Sequence, residues 1–116
     1  LVEMLKGKDI GAKLTVENIL ALSGAMDVMQ AGTFSSLQPK NVRLRRAIYN
    51  QGEFVQHPKY PLLFDPQTCG GLLASVDAQQ AQDCIDTLKN NGYPDSIIIG
   101  QLTALPEHGL ITLAES

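Results

Sequence analysis

Cysteine is scarce in this 116-residue chain. Only Cys69 and Cys84 are present, too few for a disulfide framework and at no metal-ligand spacing. That scarcity points to a reducing, cytoplasmic compartment. Positive charge is also in deficit: nine Lys and Arg against twelve Asp and Glu leave a net charge of −3. With a pI near 5.2, the chain as a whole has no electrostatic pull toward nucleic acid or an anionic membrane. No apolar run approaches the ~18 residues of a membrane span, and the first residues lack the basic, apolar and small-residue regions of a signal peptide. Acids stand singly, with no pair spaced for a metal site or an acid–base couple. The Gly-Lys-Ser/Thr of a P-loop is absent as well. Composition and spacing by themselves therefore assign no catalytic residue and no metal site.

What the chain does contain suits one domain spanning residues 1–116. Hydrophobic residues make up 44%, enough to bury a core at an ordinary domain length. The opening Leu1 to Gly7 reads as the last turns of an amphipathic helix ended by Gly7 at C′. A helix without its start implies a piece of a longer protein. Ala12 to Val16 alternates as a half-buried strand. Ser23 offers an N-cap to a short helix carrying Met26 and Met29, closed by Gly32. Pro39 suits the first position of a further helix, with Leu44, Ala47 and Ile48 on one face. Residues 50–61 read as a long connection, and Pro61 to Phe64 as either a short helix or a strand.

In the second half, Gly71 to Val76 reads as a buried strand. Asp77 with Gln80 three residues on makes a capping-box pattern for a helix bearing Ala81, Cys84, Ile85 and Leu88, and Asn90-Asn91-Gly92 ends it. Cys84 falls on the apolar face and reads as core. Ser96 to Leu102 is a predicted strand, Pro106 to Gly109 a turn, and Leu110 to Leu113 a last strand expected to pair with its predecessor as a hairpin. The expected fold class is α+β, with helices packed on a mixed β-sheet.

The segment Asp65-Pro66-Gln67-Thr68-Cys69-Gly70-Gly71 packs an acid, a hydroxyl, a thiol and two glycines before an apolar run. Two glycines let backbone approach a ligand closely, and successive amide N–H groups in such a turn can form an anion nest. The same pattern also serves a plain tight turn. Cys69 has no partner in sequence that would stabilise a thiolate. Lys40, Arg43, Arg45 and Arg46 place four of the nine positive charges within seven residues, either a phosphate-binding patch or a solvated helix face. Asn41, in the first turn of the same helix, could cap it or touch a ligand. His57 and His108 fall in loop-like segments and read as surface residues.

Leu63 to Leu73 resembles the signature of the C-terminal domain of selenophosphate synthetases, usually written DPQTSGGLL, with Cys69 where Ser is usual. Glu3 to Gly7 with Gly11-Ala12, Leu22 to Gly32, Thr33 to Ser36 with Asn41, and Gly92-Tyr93-Pro94 with Ile99-Gly100 extend the resemblance over nearly the whole chain. It implies a C-terminal domain of the aminoimidazole ribonucleotide synthetase-like type. Such enzymes pair an ATP-binding N-terminal half with an α+β C-terminal half, and make selenophosphate from selenide and ATP with magnesium, releasing AMP and phosphate. Their catalytic Cys or selenocysteine, the neighbouring Lys and the magnesium-binding aspartates precede the region matched here. The resemblance thus implies no catalytic residue and no metal ligand in this chain, and an inactive isolated fragment. It implies cofactor-facing roles for Asp65, Gln67, Thr68, Cys69, Gly70, Gly71 and Asn41. The expected partners are the N-terminal half of the same protein and, in the full-length protein, a second copy in a homodimer. A domain of this type fused to a flavin-dependent oxidoreductase, without a catalytic role of its own, is the alternative.

Overall fold

In the computed structural model, which describes residues 1–66 and 70–116, the alternating run near the start forms strand β1 (Ile10–Thr15). It is the middle strand of three. Strand β2 (Gly100–Ala104) runs antiparallel along one edge, from Ile10 opposite Ala104 to Leu14 opposite Gly100. Strand β3 (Ile111–Ala114) runs parallel along the other, from Ala12 opposite Ile111 to Thr15 opposite Ala114. The order β2-β1-β3 makes a mixed sheet, and with the helices below it gives the expected α+β class.

The expected hairpin between the last two strands does not form. β1 lies between them, and residues 105–110 cross its end to reach the far edge, a span of two strand spacings, about 10 Å. Gly11 makes the crossing possible. A Cβ there would stand 2.6 Å from Pro106 Cδ and 2.9 Å from the Leu110 carbonyl. Gly100 has a similar role on the other edge, where a Cβ would run into the Lys13 carbonyl oxygen. Two glycines thus let chain pass tightly on both sides of β1.

The core is built on this sheet. Ala12, Val16, Ile111 and Leu113 are buried with Leu5, Ile48, Phe54, Tyr60 and Phe64. Leu5 comes from helix α1 (Val2–Leu5), and Gly7, at φ 75, follows as the expected helix end. After β1 the chain makes a 3₁₀ turn, Val16–Asn18, and then helix α2 (Ala25–Gln30). Gly24, not Ser23, occupies its N-cap, and no side chain caps it. Gly32, at φ 78, ends it as predicted.

Helix α3 (Gln38–Val42) carries Pro39 in its first turn, where a missing N–H costs nothing. The predicted single helix tightens after one turn into a 3₁₀ segment, Arg43–Ala47. The change of period rotates Leu44 to solvent and leaves Ile48 as the buried member of the expected face. The predicted long connection contains helix α4 (Gln51–Phe54) and a 3₁₀ turn, Tyr60–Phe64. The second settles the helix-or-strand alternative for Pro61 to Phe64.

Residues 47–50 close the outer edge of β3. Leu110 N–H donates to the Ala47 carbonyl (2.9 Å) and Tyr49 N–H to the Ile111 carbonyl (2.8 Å). Beyond that the backbone turns away, and the Asn50 side chain continues the ladder. Its Oδ1 accepts from Leu113 N–H and its Nδ2 donates to the Leu113 carbonyl, both at 2.9 Å. Asn50 stands at the N-cap of α4 without capping it, because its amide pairs with the strand.

The second half departs furthest from expectation. Residues 71–76 carry the apolar run of a buried strand, yet they form no strand and lie exposed, Leu72 completely so. A strand needs an edge to pair with. Residues 71–76 pair with none of the three strands, so their backbone enters no ladder. The strand predicted from Ser96 starts only at Gly100. β1 leaves the sheet at Val16, so Ile98 and Ile99 are held instead by Asn18 Nδ2 (2.9 Å) and Thr15 N–H (2.8 Å) on their carbonyls.

Helix α5 (Ala81–Asn90) begins after the predicted capping box. The Asp77 Oδ1 accepts from Gln79 N–H at 2.9 Å, an Asx turn one step short of the helix. Gly92, at φ 95, follows the helix end as expected. None of the residues of α5 is fully buried. Cys84, expected in the core, is half-buried with Ile85.

The Asn50 bonds yield a test. Replacing Asn50 by Ala leaves the N–H and carbonyl of buried Leu113 unpaired, and should cost about 1–3 kcal/mol in urea unfolding. Asn50→Asp should cost more than Ala. It keeps the acceptor but sets a carboxylate oxygen against the Leu113 carbonyl.

Candidate functional site

The predicted signature enters the structure at the end of the 3₁₀ turn Tyr60–Phe64. The Tyr60 and Phe64 rings meet edge to face, with centroids 5.2 Å apart, and both are buried. Burial raises the pKa of the Tyr60 phenol, and the Arg45 guanidinium opposes part of that rise. The opposite side of the turn faces α3. Gln38 Nε2 donates to the Pro61 carbonyl at 3.2 Å, and Asn41 Nδ2 to the Phe64 carbonyl at 3.1 Å. The next residue, Asp65, has extended backbone, φ −65 and ψ 124, and its N–H donates to the Leu62 carbonyl at 3.2 Å.

Asp65 stands at one wall of an open groove of about 540 Å³. Leu62 lies beside it, and α2 supplies Ala25, Val28 and Met29. The hydroxyl residues Ser23, Thr33 and Ser35 and the ring of Phe34 complete the lining. An acid, three hydroxyls and an apolar floor suit a ligand with both a flat and a polar part.

Of the seven residues singled out from sequence, the structure brings Asp65 and Asn41 to the same 3₁₀ turn. Gln67, Thr68 and Cys69 lie outside the described residues. Gly70 and Gly71 are exposed. Among the described residues a Cβ on Gly71 would meet nothing within 4 Å, so their packing imposes no glycine there. Lys40, Arg43, Arg45 and Arg46 all lie exposed along α3 and the segment after it. Among the described residues no three His, Cys, Asp or Glu side chains gather as a metal site.

Sequence reasoning missed Gln38, a buried amide inside a helix start. It also missed a polar cluster around His57, which is half-buried rather than a surface residue. Lys59 N–H donates to His57 Nδ1 at 3.1 Å, so His57 Nε2–H donates to Glu17 Oε1 at 3.0 Å. Lys59 Nζ stands 3.4 Å from Glu17 Oε2 and also donates to the Glu17 carbonyl. The cluster ties the 3₁₀ turn after β1 to the approach of the Tyr60–Phe64 turn. No spacing rule connects residues 40 positions apart, and the local signal at His57-Pro58-Lys59 is only that of a turn. His108 stacks on Tyr49, with ring centroids 5.8 Å apart.

The mixed sheet and the open groove between α2 and Asp65 define a small α+β domain. The chain belongs to the family described as AIR synthase related protein, C-terminal domain, which matches residues 1–112. It is 26% identical over 112 residues to a selenide, water dikinase of Clostridioides difficile, covering 97% of this chain and 32% of that protein. To proteins of the same name it is 28% identical over 106 residues in Dechloromonas aromatica and 29% over 100 residues in Clostridium botulinum. Those matches cover 88% and 86% of this chain and 29% of each relative. The chain thus spans about a third of the length of these relatives. No helix among the described residues is long and apolar enough to cross a membrane.

The His57 hydrogen bond, followed by Lys59, holds the Glu17 carboxyl below its ordinary pKa of 4.5. The folded state therefore favours the carboxylate. That contribution is present above pH 4.5 and fades as pH falls through the lower folded value. Glu17→Gln removes it. The urea midpoint of the variant should decline less steeply than wild type below pH 4.5, and identical slopes would refute the coupling.

Proposed function

We propose that this chain is the C-terminal part of a selenophosphate-forming enzyme, in which it walls one side of an ATP site carried mainly by an N-terminal half. The observation that carries this reading is the match to proteins named selenide, water dikinase over 86–97% of the chain. The family membership over residues 1–112 supports it. In the reaction, selenide, ATP and water give selenophosphate, AMP and phosphate. ATP supplies the phosphoryl groups.

The tasks left to this chain are binding and enclosure. The apolar floor from Ala25, Val28 and Met29 suits a flat or apolar part of the ligand, and the Ser23, Thr33 and Ser35 hydroxyls can meet its polar atoms. Asp65 accepts hydrogen bonds at the rim. Gly70 and Gly71 leave backbone N–H groups accessible to phosphate oxygens, with no side chain in the way. Thr68 brings a hydroxyl and Cys69 a small thiol in the same stretch of sequence, and Gln67 an amide. Catalytic nucleophile and magnesium ligands are assigned to the N-terminal half, as the resemblance to selenophosphate synthetases implies. A homodimer formed through the N-terminal halves is the expected assembly, acting in the cytoplasm.

The test is selenide-dependent formation of AMP from ATP by the full-length protein. Wild type should convert ATP to AMP only when selenide is present. Thr68→Ala and Gly71→Ala should lower kcat/KM for ATP by about tenfold or more, the latter with an unchanged melting temperature, since a Cβ on Gly71 meets nothing among the described residues. ATP turnover indifferent to selenide, or variants with wild-type kinetics, would overturn the proposal.

A further inference from the structure

We infer that Gln38 and Asn41 act together as positioning residues for Asp65, a two-point clamp that fixes how the chain enters the groove. The inference rests on the nucleotide-site reading above and goes further by assigning a task to two residues that reach the groove only through the turn.

The argument begins with matched spacing. Gln38 and Asn41 are three residues apart on α3, which brings both amides to one face. Their acceptors, the carbonyls of Pro61 and Phe64, are also three apart, in a 3₁₀ turn with a period of three residues. Those carbonyls therefore project along the same line. Gln38 Nε2 reaches the first at 3.2 Å and Asn41 Nδ2 the second at 3.1 Å. One bond would leave the turn able to swivel about its contact. Two, placed along its axis, fix its rotation as well as its distance. The edge-to-face Tyr60 and Phe64 rings hold the other side in the core. The second clamped carbonyl belongs to the residue directly before Asp65, so the orientation of that peptide sets the direction in which Asp65 leaves the turn.

The burial of Gln38 separates positioning from plain stabilisation. The residue is 6% exposed, and its Oε1 is buried with no hydrogen-bond partner. The desolvation of the unpaired Oε1 offsets much of what the Nε2 bond to the Pro61 carbonyl contributes to stability. Methionine would fill the space without an orphaned oxygen. At this position the amide contributes geometry with little net gain in stability, a pattern expected beside a functional site.

The experiment is a double-mutant cycle in the full-length protein, read as kcat/KM for ATP in selenide-dependent AMP formation. Gln38→Met should lower kcat/KM by about tenfold while its urea midpoint moves little, because losing the orphaned Oε1 offsets the bond lost at the Pro61 carbonyl. Asn41→Ala should act in the same direction. In an Asp65→Asn background, Gln38→Met should cost less than about twofold, because the group it positions is already impaired. Full additivity with Asp65→Asn, or an activity loss matched by a fall in the urea midpoint, would overturn the proposal. Hydrogen exchange of the Asp65 amide supplies a readout that needs no turnover. It should quicken by about tenfold in Gln38→Met, with the amides of Ala12 and Leu113 unchanged; equal exchange at Asp65 also overturns the clamp. Should wild type make no AMP with selenide, the functional reading falls and exchange alone decides the clamp.

Discussion

The constraint on which the rest of this structure depends is the two-sided hydrogen bonding of β1. Once β2 and β3 occupy its edges, one antiparallel and one parallel, the connection between them has to cross the strand end, and only a residue without a Cβ tolerates the crossing. Gly11 answers that demand, while Gly100, at the other end of β2, lets that strand start close against the Lys13 carbonyl. The outer edge of β3 is then closed half by backbone and half by the Asn50 amide, which stands in for a strand residue that the turning chain cannot supply. Ala12, Val16, Ile111 and Leu113 all draw their burial from this arrangement.

The same device, a carboxamide pairing with backbone, recurs where the chain approaches the groove. Asn18, Gln38, Asn41 and Asn50 each bond to the main chain of a distant segment. Short helices and 3₁₀ turns leave many terminal N–H and carbonyl groups without an intrahelical partner. In a domain built of such pieces, side-chain amides are well suited to satisfy them, since each carries both a donor and an acceptor. The groove wall thus inherits its geometry from the sheet through α3 and the Tyr60–Phe64 turn, while Glu17, His57 and Lys59 tie that approach to the end of β1.

Residues 71–99 behave differently. Leu72, Leu73, Val76, Leu88, Ile97 and Ile98 are all exposed, and α5 turns its apolar stripe only partly inward. The core formed by α1, the sheet and the 3₁₀ turns has no place for them. This is also the region where a sequence reading erred most. The run Gly71 to Val76 has the composition of a strand, and composition cannot say whether the fold brings it to a sheet edge. The misplaced hairpin has a related cause. Proximity in sequence favours pairing of neighbours, but here β1, some ninety residues earlier, takes the place between them.

Much of the local structure was legible. The ends of α1, α2 and α5 followed from Gly7, Gly32 and Gly92, whose positive φ angles are read from residue type alone, and β1 followed from its alternation. The α+β class came from the mixture of periods, and the family was legible in Asp65 to Leu73 because an unusual string of residues is informative without any coordinates. Not legible were the burial of Gln38, the pairing of Asn50 with Leu113, or the meeting of Glu17 with His57. Each joins residues far apart in the chain, and an amide or imidazole has the same local pattern whether it faces solvent or another segment. By itself the sequence determined turns, helix ends, class and family, since these depend on the conformational preferences and identity of nearby residues. Tertiary structure alone decided strand order, the unpaired state of residues 71–76 and the clamp before Asp65, because hydrogen-bond partners are chosen by where the core places the strands.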